Sequence, residues 1–69
     1  MSITTLADAM HFLKFAYQMR EDLPDGQWAE LKELLDEYAH AHGRDHTKWP
    51  DDVAAEFIFS VSENARFWA

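Results

Sequence analysis

Histidines near the middle of the chain are the first residues whose type and spacing suggest chemistry. His42 and His46 are four residues apart, a spacing that places two imidazoles on one face of a continuous helix, as in many zinc sites. Gly43, however, is predicted to end the helix between them, and no third ligand lies at a fixed spacing. We therefore interpret His40, His42 and His46 as surface histidines, with a metal site as the weaker alternative, and we expect no metal and no cofactor.

Adjacent carboxylates are the second candidate for chemistry. Asp36 is followed by Glu37, and Asp51 is followed by Asp52. General acid–base catalysis needs two carboxyl groups that face each other across a cleft, with the pKa of one of them raised. Neighbouring carboxylates on an exposed helix are instead solvated charge. Ser60 lacks the flanking glycines of a nucleophile elbow, and the chain contains no cysteine. We therefore predict that the chain is not an enzyme.

Length and charge limit the remaining function classes. The chain has 69 residues, which predicts a single helical domain over residues 1–69, because typical domains have roughly 100–150 residues. No apolar run approaches the roughly 18 residues that a membrane span needs, and the first residues lack the order of a signal peptide. We expect a small soluble protein of the cytoplasm that has no membrane partner.

The charge balance bears on the kind of partner. Thirteen acidic residues face six Lys and Arg residues, which gives a net charge of −7, and the six cations are scattered from Lys14 to Arg66. Because proteins that bind DNA neutralise phosphates with clustered Lys and Arg, we expect no direct nucleic-acid binding, not even by a helix-turn-helix. An acidic surface favours a partner with a basic surface, whereas the simpler alternative is that the acidity only maintains solubility.

Two loops divide the chain into three segments. Pro24 and Gly26 mark the first loop, and Gly43 and Pro50 bound the second. Each segment repeats apolar residues at the three- and four-residue spacing of a packed helix. The sequence therefore predicts an all-α fold, a small three-helix protein with helices at about 5–21, 26–42 and 50–67.

Two local patterns refine this assignment. Thr5 and Asp8 have the types and spacing of a capping box, which predicts that the first helix begins here. Residues 57–61 (FIFSV) have strand propensity when taken alone, so a strand is the alternative for the third segment. We predict a helix, because a single strand has no partner to pair with and the flanking residues favour a helix.

The first segment is apolar over most of its circumference, and 48% of the chain is hydrophobic. A chain this small has room for only one small core, so the excess predicts burial against another subunit. We therefore expect a helical homodimer. The expected dimer-interface residues are Phe12, Phe15, Met19, Phe67 and Trp68.

The second helix and the loop after it combine carboxylates with aromatic side chains, which is the composition of a protein-binding surface. Trp49 lies in a polar loop without a periodic partner. It is interpreted either as an exposed interface anchor or as a side chain packed on Val53. The candidate partner-binding residues are Glu33, Asp36, Glu37, Tyr38, Asp45 and Trp49.

Three stretches of the sequence suggest a family: residues 1–10 (MSITTLADAM), residues 23–26 (LPDG) and residues 65–69 (ARFWA). In a short, acidic chain that is predicted to be all-helical, they resemble the anti-quorum-sensing, or anti-activator, proteins of Mu-like Pseudomonas phages. The resemblance covers the whole chain and its length. No mechanistic motif carries it, so it assigns no interface residues.

The resemblance implies a phage early protein made in the host cytoplasm. It implies a helical homodimer that binds the host's LuxR-type quorum-sensing regulator and blocks transcription activation. It also implies a second partner, the type IV pilus assembly ATPase, whose inhibition prevents superinfection. The alternatives from the residues alone are an acidic inhibitor that mimics DNA, an anti-CRISPR-like protein, and a small antitoxin or regulatory dimer.

Overall fold

A computed structural model of the chain describes residues 2–23 and 26–66, which form three α-helices. Two single-turn 3₁₀ helices lie in the connections, at Arg20–Asp22 and His46–Lys48. The described residues contain no strand, so the predicted all-α fold of three helices is confirmed. The helices are α1 (Leu6–Gln18), α2 (Gln27–His42) and α3 (Asp51–Ala65).

Helix ends differ from the predicted ones by up to three residues. The α1 helix stops at Gln18 because the chain tightens into a 3₁₀ turn after Met19. Pro50 directly precedes the first turn of α3, where the missing proline N–H costs no hydrogen bond. Residues 57–61 are helical, so the strand alternative is wrong. Tertiary packing overrides strand propensity here, since Phe57 and Val61, four residues apart, are both buried.

The predicted capping box at the start of α1 is confirmed. The Thr5 hydroxyl oxygen accepts a hydrogen bond from the Asp8 backbone N–H at 3.1 Å. In return, the Asp8 carboxylate accepts from the backbone N–H groups of Thr5 and Thr4, each at 3.2 Å. These bonds satisfy donors that the first helical turn would otherwise leave without partners.

Removal of this cap is expected to weaken α1. Thr5→Ala should lower the free energy of unfolding by about 1 kcal/mol, measured by urea denaturation followed by circular dichroism.

The Thr4 backbone N–H, with the Thr5 hydroxyl and N–H, lowers the pKa of Asp8 below its ordinary value. Because the pKa of Asp8 is lower in the folded chain than in the unfolded chain, the ionised carboxylate stabilises the fold at pH values above the unfolded pKa. This stabilisation is lost as the pH falls through the folded pKa. Asp8→Asn should therefore reduce the loss of stability between about pH 6 and about pH 2. If the wild type and Asp8→Asn lost the same free energy of unfolding on acidification, Asp8 would not be a source of this pH dependence.

Helix α2 ends at Gly43, where the backbone adopts a positive φ that favours glycine. Gly43 has a φ of +97°, in the region that side chains disfavour, and its N–H donates to the Ala39 carbonyl oxygen at 2.8 Å. The chain then turns towards α3 through residues 44–50. The position of this turn determines where Trp49 lies.

The core is formed where α1 packs against both other helices in the same chain. On α1, the alanines Ala9 and Ala16 are completely buried, and their small side chains let a neighbouring helix approach closely. Tyr17 and Trp28 add an edge-to-face contact between α1 and α2, with ring centroids 5.6 Å apart. No polar side chain is buried in the part of the chain that the structure describes. Among the described residues, the buried ones are Ile3, Ala9, Phe12, Leu13, Ala16, Leu31, Trp49, Phe57 and Val61.

Candidate functional site

The first candidate binding residue, Trp49, is not on the surface. Its side chain is only 6% exposed, and its ring centroid lies 5.2 Å from that of Phe57 and 6.0 Å from that of Tyr38. The indole Nε1 donates to the Gly43 carbonyl oxygen at 2.8 Å. The prediction of an exposed anchor at Trp49 is therefore wrong. The loop folds back on the helices because a large aromatic ring with a nearby acceptor is more stable when buried.

Four other rings surround or approach Trp49, and together we call them the aromatic cluster: Tyr38, His42, His46, Trp49 and Phe57. The His42 and His46 rings lie 6.5 and 6.4 Å from the indole, and Tyr38 packs edge to face on Phe57 at 5.1 Å. The cluster joins α2, the loop and α3. Tyr38 is half-buried, so part of this candidate side chain is accessible.

Two observations concern the binding of metal ions and small molecules. Within residues 2–23 and 26–66, no group of three or more His, Asp or Glu side chains is placed to hold a metal ion. A concavity of about 720 Å³ lies beside the end of α2. Its charged and imidazole side chains are all exposed rather than enclosed. The residues that line it are Lys32, Asp36, Ala39, His40, Gly43 and Arg44.

The predicted carboxylates of α2 do lie on its outer side. Glu33, Asp36 and Glu37 are all exposed. Asp36 forms an exposed ion pair with Lys32 at 3.8 Å. Glu33 and Glu37 form no ion pair within the described residues, and Glu30 lies on the same side at helical spacing. We call Glu30, Glu33 and Glu37 the acidic stripe.

Asp45 is exposed, and its carboxylate also contacts neighbouring residues of the loop. Its carboxylate accepts hydrogen bonds from the backbone N–H and the hydroxyl of Thr47, and Lys48 lies 4.0 Å away. The Thr47 hydroxyl, the Thr47 N–H and the charge of His46 lower the pKa of this carboxyl. Asp45 therefore begins the 3₁₀ turn that leads to Trp49, a role that spacing alone did not reveal.

The predicted dimer residues divide into three groups. Phe12 is 3% exposed and belongs to the core of its own chain, so its assignment to a subunit interface is wrong. Phe15 and Met19 are 42% and 37% exposed and lie four residues apart on one flank of α1, which we call the α1 patch. Phe67 and Trp68 lie outside the described residues.

One exposed aromatic residue was missed by the sequence reasoning. Phe59 is 65% exposed, the highest value among the large exposed apolar side chains of the described residues. Two residues along a helix correspond to a rotation of about 200°. Because Phe57 is buried, Phe59 must therefore point away from the core. The helical spacing contained this information, although the sequence analysis assigned no role to Phe59.

Comparisons with known proteins add nothing to these observations. No family model, curated protein or solved structure matches this chain. No helix in the described parts of the chain combines the length and the apolar character needed to cross a membrane. The function must therefore be argued from the exposed groups: the acidic stripe, the half-buried Tyr38, the α1 patch and Phe59.

Proposed function

We propose that this chain is a non-enzymatic phage inhibitor that binds a host LuxR-type transcriptional regulator and blocks its binding to DNA. The observation that supports the proposal best is the acidic stripe, whose carboxylates project from a rigid helix. A regulator's DNA-binding surface must be basic, because it neutralises phosphates. A row of carboxylates complements that surface, increases the association rate and competes with the duplex.

The rest of the proposal follows the family resemblance. The chain acts in the host cytoplasm, and it also binds and inhibits the type IV pilus assembly ATPase, which suppresses superinfection. It does so as a homodimer. The α1 patch supports the homodimer, since exposed Phe15 and Met19 present apolar surface that a second copy can cover.

Competition for DNA tests the main proposal. A purified LuxR-type regulator is bound to a labelled promoter duplex, and the purified chain is added at increasing concentration. We expect the regulator–DNA complex to disappear, and Glu33→Lys or Glu37→Lys to weaken this effect severalfold, more at low salt than at high salt. Glu21→Lys makes the same charge change at an exposed position outside α2 and serves as the matched control.

Three results would count against the proposal. The first is that the regulator stays bound to the duplex at every concentration of the chain. The second is that the chain alone retards the duplex, and the third is that Glu21→Lys loses as much inhibition as Glu33→Lys or Glu37→Lys. A pull-down from host lysate distinguishes the alternatives. Recovery of a nuclease complex supports an anti-CRISPR-like protein or DNA mimic, and recovery of a toxin supports an antitoxin.

A further inference from the structure

Phe59 lies on the outer side of α3, among carboxylates. Its helical neighbours at three and four residues' distance are Ala55, Glu56, Ser62 and Glu63. Glu63 forms an exposed ion pair with Arg66 at 3.5 Å. Glu56 forms no ion pair in the described part of the chain. The phenyl ring therefore lies exposed between Glu56 and Glu63, and the charge of Glu56 is not compensated by an ion pair in the described part of the chain.

This side of α3 is continuous with the acidic stripe of α2. Glu37, from the acidic stripe, and Glu56, from α3, line the same shallow groove of about 190 Å³. Tyr38 and His42 form the rest of this groove together with Ala41. Glu37 and Glu56 therefore belong to one surface, with Phe59 one helical turn beyond Glu56.

The charge around each exposed phenylalanine indicates what can cover it. The helical neighbours of Phe15 are His11, Phe12, Gln18 and Met19, none of which is acidic. A second copy placed over Phe59 would instead bring Glu56 and Glu63 towards the same residues of its partner, between chains that each carry a net charge of −7. Like charges in an interface are strongly unfavourable. The Phe59 side therefore fits a basic partner rather than another copy of the chain.

We propose that Phe59 is the apolar anchor of the surface that binds the regulator: its ring enters a pocket bordered by Lys and Arg on the regulator's DNA-binding domain. This inference rests on the proposed function. Carboxylates accelerate association but contribute little affinity individually, so a tight interface also needs a large side chain that becomes buried. Buried Trp49 cannot supply that side chain, and Phe59 is the most exposed large apolar side chain in the described part of the chain.

Calorimetric titration of the full chain into the regulator's purified DNA-binding domain tests this inference. Phe59→Ala is expected to weaken binding about 30-fold or more, the loss typical of an interface anchor. Phe59→Leu should restore much of the affinity, because it returns apolar volume. Gln18→Ala is the matched control, since it shortens an exposed side chain of α1 outside both the acidic surface and the α1 patch without changing the charge, and it should bind as the wild type does.

Stability and mass measurements separate the possible failures. Phe59→Ala should melt like the wild type and keep its molar mass in light scattering, because the ring is solvent-exposed and faces no second copy. Wild-type affinity in Phe59→Ala overturns this inference alone. A shift of Phe59→Ala towards monomer also overturns it, because the occupant would then be another copy. If the wild-type chain does not bind the domain, the proposed function fails and this inference fails with it.

Discussion

Trp49→Ala is expected to be among the most destabilising single substitutions in this protein. The indole is almost completely buried against Tyr38 and Phe57, and truncation of a buried Trp costs about 3–5 kcal/mol. A domain of 69 residues has a total stability of roughly 3–10 kcal/mol, so a large part of the population should be unfolded. Urea denaturation followed by circular dichroism measures the loss.

A conservative variant separates packing from the hydrogen bond at this position. Trp49→Phe keeps an aromatic ring but loses the Nε1 hydrogen bond to the carbonyl oxygen of Gly43, which is an exposed residue. A water molecule can donate to this oxygen in place of the indole. The variant should lose clearly less stability than Trp49→Ala. If Trp49→Ala instead melts like the wild type but no longer binds the regulator, the indole is an interface anchor after all.

Phe12→Ala is the second substitution with a large expected effect. Its side chain is 3% exposed in the core of its own chain, so its truncation should cost about 3–5 kcal/mol in urea denaturation. The loss should be the same at low and high protein concentration, because the ring contributes to the fold of one chain. Wild-type stability in this variant would show that the α1 helix packs differently.

Phe15→Ala is the matched control, three residues further along the same helix. Its ring is largely outside the core, so the variant should keep its helical circular-dichroism signal and lose much less stability. If the α1 patch forms the homodimer, light scattering at micromolar concentration should show a shift towards monomer. An unchanged dimer mass in Phe15→Ala would remove the α1 patch from the interface.

The start of α1 and the end of α2 were predictable because local physical chemistry determines them. The capping box at Thr5 and Asp8 satisfies backbone donors within one turn, and Gly43 adopts a conformation that ends a helix. The predicted apolar spacing also agrees with the burial of Leu31 on α2 and of Phe57 and Val61 on α3. These features depend on neighbours in the sequence, so a single sequence contains them.

The candidate site was predicted less well, because exposure depends on how the whole chain packs. Trp49 lies in a loop, where no periodicity indicates direction, and its burial depends on rings from α2 and α3. Phe12 was assigned to a subunit interface because an apolar helix does not reveal whether its partner belongs to the same chain. The acidic residues Glu33 and Glu37 were placed correctly on the surface, since charged side chains on the outer side of an amphipathic helix remain solvated.

The aromatic cluster has a consequence for the order in which the protein folds. All five of its rings lie between residues 38 and 57, so their contacts close only short stretches of chain. Short closures lose little chain entropy and form quickly. The hairpin of α2 and α3 can therefore assemble as a local unit. We expect α1, whose partners on α3 are distant in sequence, to dock afterwards and complete the core.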